Sequence, residues 1–221
     1  LEQKRKRINI LLKYNKFDQA YDCCNKYILL NPNDPEGYNN LATISYKLNN
    51  LDQAEIYYKK ALSYNPNYFL ALFGLGDVYK DLGKFDEAEK IYKTTIALNS
   101  NHAEVYNNLG YVQRKLGSFK NAEISYRKAI SLKPDFYYCY NNLGNSLFHL
   151  HKWKEALESY KKAILLKPDY SVAHSNKNYM LLFFNGISEK EIFNEHLEFD
   201  KQFSKLKSKK LRHFPIENNP D

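Results

Sequence analysis

Residues 103–136 read AEVYNNLGYVQRKLGSFKNAEISYRKAISLKPDF, and the rest of the chain repeats the pattern of this 34-residue stretch. Tyr106, Leu109 and Gly110 share one face of a first predicted helix, because their spacing matches the helical turn. Gly117 can end that helix by adopting positive φ, and Pro134 ends a second helix. The inner face of the second helix is marked by Phe119, Ala122, Tyr126 and Ala129. The stretch therefore predicts two helices packed as a pair.

The same columns of residues return every 34 positions. The alanine column consists of Ala20, Ala54, Ala88, Ala122 and Ala156. Two other columns have the same period. One is bulky and apolar and consists of Phe17, Leu51, Phe85, Phe119 and Trp153; the other consists of Pro32, Pro66, Pro134 and Pro168. A fixed period of this length is typical of stacked arrays. We predict an all-α solenoid of antiparallel helix pairs, with repeats at residues 1–34, 35–68, 69–102, 103–136 and 137–170.

Small residues are predicted where the two helices of a pair cross most closely. First helices place Ala42, Gly76, Gly110 and Gly144 at the equivalent position. The tyrosine columns and Trp153 are expected to fill the hollows between helices, so the abundance of tyrosine is interpreted mainly as core packing.

These columns together resemble the tetratricopeptide repeat: Tyr-x-x-Leu-Gly, then Gly-x-Phe, then Ala-x-x-x-Tyr-x-x-Ala and a closing Pro. Two repeats depart from the pattern, since the first lacks Leu-Gly and the third has Thr95 and Ser100 in place of Ala and Pro. The resemblance implies a right-handed superhelix whose concave face is lined by the first helices. It also implies that partners are extended peptide or protein segments lying in that groove.

An asparagine column runs along the first helices on the side away from the Tyr/Leu/Gly packing face. It consists of Asn40, Asn108, Asn142 and Asn176, with Gly74 as an interruption. A side-chain amide both donates and accepts hydrogen bonds, so it can hold a peptide main chain of many sequences. Neighbouring columns add Asn39, Asn107, Asn141, Tyr111 and Asn145. These nine residues are the predicted peptide-binding face; the alternative is that the asparagines bridge helices internally.

The period fades after Tyr170. We predict a degenerate sixth repeat and a capping helix over residues 171–204, followed by a basic, Asn/Pro-containing linker over 205–221. Ser188 and Glu191 have the spacing of a capping box that starts the last helix, and Gly186 interrupts the chain before it. Its apolar side is expected to shield the last repeat and contains Ile192, Phe193, His196, Leu197, Phe199 and Phe203.

This tail has a second resemblance. Four motifs follow one another in it: Ala173-His174-Ser175-Asn176, then Ile187 to Ile192 with Phe193 and His196, then Phe203, and last Asn218-Asn219-Pro220-Asp221. This order of motifs is similar to the junction in bacterial O-linked N-acetylglucosamine transferase-like proteins. The asparagine column is also similar to the ladder of that family. The resemblance implies a substrate-selecting region whose catalytic lobes are absent from this chain. The alternative is a free-standing scaffold with no linked enzyme.

Composition narrows the classes of partner. The net charge of +8 is spread along the chain rather than concentrated, which disfavours nucleic acid as the ligand. A clamp for a terminal carboxylate could begin with Arg5 and Asn9, but Phe73 and Asp77 stand where further cations are needed. The partners expected are therefore protein segments, with self-association possible and no small-molecule substrate or membrane.

Enzyme chemistry has no support in the sequence. The chain has no nucleotide-binding loop or nucleophile motif, and His149 and His151 are spaced poorly for a shared metal ion. We expect no cofactor, metal or catalytic residue. Three cysteines without a pairing framework suggest a reducing compartment, so we expect a cytoplasmic protein. Because the chain begins at Leu1 rather than Met, we also expect it to be part of a longer protein.

Overall fold

The computed structural model describes residues 2–183 and 188–211, and every regular element within these ranges is an α-helix. The helices are α1 Glu2–Lys13, α2 Phe17–Ile28, α3 Pro35–Lys47, α4 Leu51–Tyr64, α5 Phe69–Asp81, α6 Phe85–Leu98, α7 Ala103–Lys115, α8 Phe119–Leu132, α9 Tyr137–His149, α10 Trp153–Leu166, α11 Ser171–Leu181 and α12 Glu189–Leu211. The all-α prediction is confirmed.

The chain forms two compact bodies, residues 1–134 and residues 135–221. The N-terminal body contains α1 to α8, and each helix in it packs against the next along the chain. The C-terminal body contains α9 to α12, again with sequential packing. Within each body, the predicted solenoid of helix pairs is therefore present.

The helix pairs α5–α6, α7–α8 and α9–α10 each close around a glycine and a tyrosine, as the small-residue columns predicted. A Cβ atom built on Gly76 would lie 2.6 Å from Cε1 of Tyr92. The same atom on Gly110 would lie 2.8 Å from Cε1 of Tyr126, and both tyrosines are fully buried. A side chain at either glycine would therefore overpack the crossing. The alanine column on the second helices is also fully buried.

The turn between the two helices of a repeat uses one left-handed residue at the same position of the period. Its φ angles are 55° at Asn15, 60° at Asn49, 73° at Gly83, 74° at Gly117 and 58° at His151. Glycine and asparagine tolerate this conformation best. The prediction that Gly117 ends a helix with positive φ is confirmed, and α8 ends at Leu132, just before Pro134.

The last helix begins at the predicted capping box. The Ser188 backbone N–H donates to Oε2 of Glu191 over 2.9 Å, and the Glu191 N–H returns a bond to the Ser188 hydroxyl over 3.3 Å. Helix α12 continues to Leu211, so residues 205–211, expected as the start of a linker, are helical. Gly186, Ile187 and residues 212–221 lie outside the described residues.

Contact between α12 and the last repeat centres on an ion pair. Lys177 takes the position that leucine holds in earlier first helices, and its side chain is only 10% exposed. Its ammonium lies 2.5 Å from the carboxylate of Glu195 on α12. The His174 ring also contacts Phe203, with centroids 5.1 Å apart. The helix therefore covers α11, as a capping element would.

The apolar residues of α12 form two faces rather than the single side predicted. Ile192, Phe199 and Phe203 are half-buried. Phe193 and Leu197 instead point to solvent, 66% and 40% exposed. Only part of the predicted apolar side therefore shields the last repeat.

Candidate functional site

The candidate site lies on the first helices of each body, next to the helix-pair crossing. In the N-terminal body this surface is defined by Asp77, Asn107, Asn108 and Tyr111, which we name the N-terminal amide face. In the C-terminal body it is defined by Asn142, Asn145, Asn176 and Tyr179, the C-terminal amide face. All eight residues are half-buried or exposed, so each can present polar atoms to a ligand.

Asp77 is the centre of a hydrogen-bond network on the N-terminal amide face. Its Oδ1 accepts from the Tyr92 hydroxyl at 2.6 Å and from Asn108 Nδ2 at 2.7 Å. The Lys80 ammonium lies 3.0 Å from the same oxygen. Asn107 Nδ2 donates to Asn108 Oδ1 over 3.2 Å. The network therefore joins three helices, α5, α6 and α7, and fixes the orientation of the Asn108 amide.

Burial of the Tyr92 phenol explains why its hydroxyl is a firm donor in this network. Desolvation raises the pKa of Tyr92 above its ordinary value, and the nearby charge of Asp77 raises it further. The phenol therefore stays neutral and keeps its proton directed at the carboxylate.

Three of the nine predicted site residues are buried, and one of them, Asn141, bridges two helices. Asn39 and Asn40 are 6% and 7% exposed, and Asn141 is 3% exposed. Asn141 Oδ1 accepts a hydrogen bond from Asn176 Nδ2 over 2.9 Å, which links α9 to α11. Because these side chains offer little surface, they are left out of the two amide faces. Both adjacent asparagines are buried in α3 and only the first of the two in α9, whereas both stay accessible in α7.

The interruption of the asparagine column at Gly74 has a steric cause. A Cβ atom at this position would lie 2.6 Å from Cε1 of Tyr58 and closer still to Cζ. The Tyr58 hydroxyl lies 3.3 Å from Thr43 Oγ1, so the ring is held over the glycine. No side chain fits at position 74 unless Tyr58 moves.

The C-terminal amide face borders a cluster of aromatic rings. Phe148 contacts Tyr179 and Phe183, with ring centroids 5.9 and 5.7 Å apart. Tyr179 and Phe183 are 58% and 48% exposed. On the same face, Asn145 Oδ1 accepts from the buried Tyr160 hydroxyl over 2.8 Å. This face therefore combines oriented amides with exposed aromatic surface.

The sequence did not single out several residues that the structure places beside the amide faces. Arg114 and Lys115 flank Tyr111, with their charged groups 5.5 and 5.7 Å from its ring centroid. Arg114 and Phe148 belong to one column, three residues after Tyr111 and Asn145. The same column contains Tyr46 and Lys80. This recurrence of large side chains at one position of the period is the signal that could have identified Arg114 and Phe148.

A carboxylate clamp starting at Arg5 is not available. The Arg5 guanidinium donates to Asp34 at 2.5 Å and to the Tyr27 hydroxyl at 2.6 Å. It also lies 3.2 Å from Glu36. The hydrogen bond with Asp34, ahead of that with Tyr27, raises the pKa of Arg5. The charge is therefore already paired within the fold.

The described residues show no metal-binding cluster, and two of the three cysteines are buried. Among the described side chains, no group of three or more His, Cys, Asp or Glu could hold a metal ion. Burial raises the pKa of the Cys24 thiol to about 12 and also raises that of Cys139. Both are thus poor nucleophiles at neutral pH. Within the described part of the chain, each helix is too short or too polar to cross a lipid bilayer.

Family models of the tetratricopeptide repeat match residues 36–101, 67–135 and 137–170, which together cover more than half of the chain. No curated protein matches it. Among solved structures, PilF of Pseudomonas aeruginosa is similar with a TM-score of 0.80 and 16% identity, over 93% of this chain and 92% of that one. MamA is similar with a TM-score of 0.70 and 23% identity, over 84% and 98%.

A further similar structure is YrrB, described as a TPR protein with an unusual peptide-binding site. Its TM-score is 0.66 at 24% identity, over 82% of this chain and 91% of that one. At identities this low, these likenesses show the fold alone.

Proposed function

The chain belongs to the tetratricopeptide repeat family, and from this premise we propose that its two amide faces bind extended polypeptide segments. The faces are the parts of the first helices that stay accessible after the helix pairs close. They carry amides, an acid, bases and aromatic rings rather than a single sign of charge. Such a mixture suits a peptide main chain with varied side chains. The peptide-binding site described for YrrB is in line with this proposal.

One observation carries the proposal: the Asn108 amide is fixed in place and still accessible. Its Nδ2 is held by Asp77, and its Oδ1 accepts from Asn107. The amide oxygen has two lone pairs and uses one of them for Asn107, so it keeps capacity to accept one more hydrogen bond. A ligand amide can therefore bind without a cost for ordering the side chain. Asn176 is held in a similar way by Asn141 on the C-terminal amide face.

The exposed rings beside the C-terminal amide face add a preference to this binding. Tyr179 and Phe183 present large apolar surfaces next to the amides. Because each ring is already about half buried, covering the rest of one ring contributes about 1 kcal/mol. We therefore propose that ligands place an apolar or aromatic side chain there while their main chain bonds to the asparagines.

The test is to select ligands from a displayed library of unstructured peptides, using the 221-residue chain as bait. Affinities of the selected peptides are then measured by fluorescence anisotropy. Loss of one main-chain hydrogen bond costs about 1 kcal/mol, so Asn108→Ala is expected to weaken binding about fivefold. The matched control is Asn121→Ala, because Asn121 is exposed on a second helix, α8. Circular dichroism verifies that both variants keep their helicity.

Equal affinity of wild type and Asn108→Ala would contradict the proposal for the N-terminal face, and Asn176→Ala tests the C-terminal face in the same way. If Asn108→Ala unfolds the array, its amide has a structural role. If no selected peptide loses affinity when Asn108 or Asn176 is changed to alanine, the interpretation that the asparagines bridge helices stands.

We propose, as a finer assignment, that the array selects protein substrates for a glycosyltransferase of the O-linked N-acetylglucosamine type. The support is the asparagine column together with the order of tail residues from Ala173 to Phe203. The final part of that motif, Asn218 to Asp221, lies outside the described residues. The competing proposal is a free-standing scaffold that uses the same faces.

Sequencing the transcript beyond the codon for Asp221 separates these two proposals. A continuing reading frame that encodes an α/β nucleotide-sugar region supports the transferase assignment. A stop codon close to Asp221 refutes it and leaves the scaffold. The peptide-binding proposal stands in either case, because it depends on the amide faces alone.

A further inference from the structure

Two basic side chains at the C-terminal end of α7 have no anionic partner among the described residues. Arg114 and Lys115 hold their charged groups 5.5 and 5.7 Å from the ring centroid of Tyr111, which belongs to the N-terminal amide face. Neither forms an ion pair with another described residue. We name Arg114 and Lys115 the basic edge, because together they place two unpaired positive charges beside that face.

Arg114 is the more constrained member of the basic edge. Its side chain is half-buried, and its Nε–H is shielded from solvent without an acceptor in the described part of the chain. The helix dipole favours cations at the end of a helix, and this is reason enough for the exposed Lys115. A shielded guanidinium N–H is different, because nearly all buried polar groups in proteins are hydrogen-bonded. The group that matches the planar fork of a guanidinium best is a carboxylate.

The acidic residues of the neighbouring first helix are already engaged within the fold. Asp77 and Asp81 on α5 share Lys80, whose ammonium lies 3.0 and 3.6 Å from their oxygens. The one acid of α7 is Glu104 in its first turn, and it lies 2.9 Å from the ammonium of Lys133. Beyond the first turns of α5 and α7 there are therefore three bases and two acids. Both acids are paired, so the unpaired charge of this surface is positive.

The basic edge is within reach of a peptide bound at Asn108. Arg114 follows Asn108 by six residues, which is about 9 Å along the helix axis. Long side chains on a helix lean toward its N-terminus, and the place of the guanidinium beside Tyr111 agrees with this. An extended chain advances about 3.3 Å per residue, so about two or three ligand residues span the distance. One peptide can therefore contact both Asn108 and the basic edge.

We propose that the basic edge binds the carboxylate of an aspartate or glutamate side chain in the extended peptide that bonds to Asn108. This preference rests on the proposed function and adds a ligand chemistry to the N-terminal amide face. Arg114 donates N–H groups to both carboxylate oxygens, and the Lys115 ammonium adds a second positive charge. The same positions of the next repeat hold Phe148 and His149, so the preference for acidic ligands belongs to the N-terminal body.

Peptides selected from the displayed library on the full 221-residue chain provide the test. Those that lose affinity with Asn108→Ala are expected to be enriched in aspartate and glutamate relative to the input library. Each is synthesised in three forms: unchanged, with its acidic residues replaced by asparagine or glutamine, and with an amidated C-terminus. The second form should bind about tenfold more weakly, because a hydrogen bond to a charged group is lost. The third should bind as the unchanged peptide does, which distinguishes a side-chain carboxylate from a terminal one.

A double variant, Arg114→Gln with Lys115→Gln, assigns the effect to the basic edge. The acidic and the amide forms of each peptide should bind this variant equally, because the cations that distinguish them are gone. The matched control is Lys120→Gln with Lys128→Gln, since both lysines are exposed on α8 and the net charge of the chain falls by the same amount. The control should keep the tenfold preference. Circular dichroism establishes that all variants are folded.

Four outcomes would overturn this preference for acidic ligands. Asn108-dependent peptides show no enrichment in acids, the wild type binds acidic and amide forms equally, the double variant keeps the preference, or it weakens both forms alike. In the last case Arg114 has a structural role. Peptides still bind through Asn108 in the first two outcomes, so the proposed function stands there. A library that yields no Asn108-dependent peptide contradicts both proposals for the N-terminal amide face.

Discussion

Removing the Asp77 carboxylate should cost more stability than removing the tyrosine hydroxyl bonded to it. Asp77→Ala leaves the hydroxyl of Tyr92, which is 0% exposed, without its acceptor, and also deprives Asn108 of its partner. A buried polar group without a partner costs about 1–3 kcal/mol. With the lost contact to Asn108 included, we expect the free energy of unfolding to fall by about 2–4 kcal/mol.

Tyr92→Phe should be milder because Asp77 keeps its bonds to Asn108 and Lys80. The phenylalanine ring occupies the same buried space, so the expected loss is about 1.5 kcal/mol, the lower end of the range for a hydrogen bond to a charged group. Asp77→Asn retains an acceptor oxygen and should fall between Tyr92→Phe and Asp77→Ala.

A double-mutant cycle with urea denaturation, monitored by circular dichroism, measures the coupling between these two residues. In the Tyr92→Phe background, Asp77→Ala no longer strands a buried hydroxyl, so it should cost about 1–2 kcal/mol less than in the wild type. If Asp77→Ala costs the same in both backgrounds, the hydrogen bond does not hold the network together. The assigned role of Asp77 in orienting Asn108 would then be wrong.

Four further substitutions test other parts of the fold by the same denaturation assay. Burial raises the pKa of Tyr58 to about 12, so the folded state holds this proton more tightly and stability falls as pH rises from about 10 to 12. Tyr58→Phe should reduce that fall by about 1.4 kcal/mol per pH unit. Gly117→Ala should lower the free energy of unfolding by about 1–2 kcal/mol, because φ is 74° there. Glu195→Ala strands the buried Lys177 and should destabilise the protein more than Lys177→Met, which restores an apolar side chain and is expected to be nearly neutral.

Period and residue type were sufficient to predict the helix pairs and their crossings. The burial of Tyr92 and Tyr126 against glycine follows from columns that recur with little change. The left-handed turns were predictable at Gly117 but not at His151, because histidine gives no such signal and only its place in the period reveals it.

The site was harder to predict because it depends on what packs around each helix. Asn107 and Asn108 are accessible, whereas Asn39 and Asn40 at the same positions of another repeat are both buried. Adjacent residues differ by about 100° around a helix, so a small rotation of the helix alone does not bury both. The period fixes the column of a residue but not the surroundings that bury it.

Contacts across long sequence separations were also missed. Lys177 breaks the leucine column, and the sequence alone gives no reason for a base at a buried position. Its partner, Glu195, lies 18 residues later on a helix whose docking the repeat pattern does not predict.

The glycine at position 74 sets a condition on the composition of ligands. The Tyr58 ring excludes any side chain there, so this rung of the asparagine column has no amide. In the proposed mode of binding, the ligand residue that lies opposite position 74 receives no side-chain hydrogen bond from that position. Proline, which lacks a main-chain N–H, would lose nothing at that point but would lose a bond opposite Asn108. A proline scan of a bound peptide would therefore reveal its direction and register on the array.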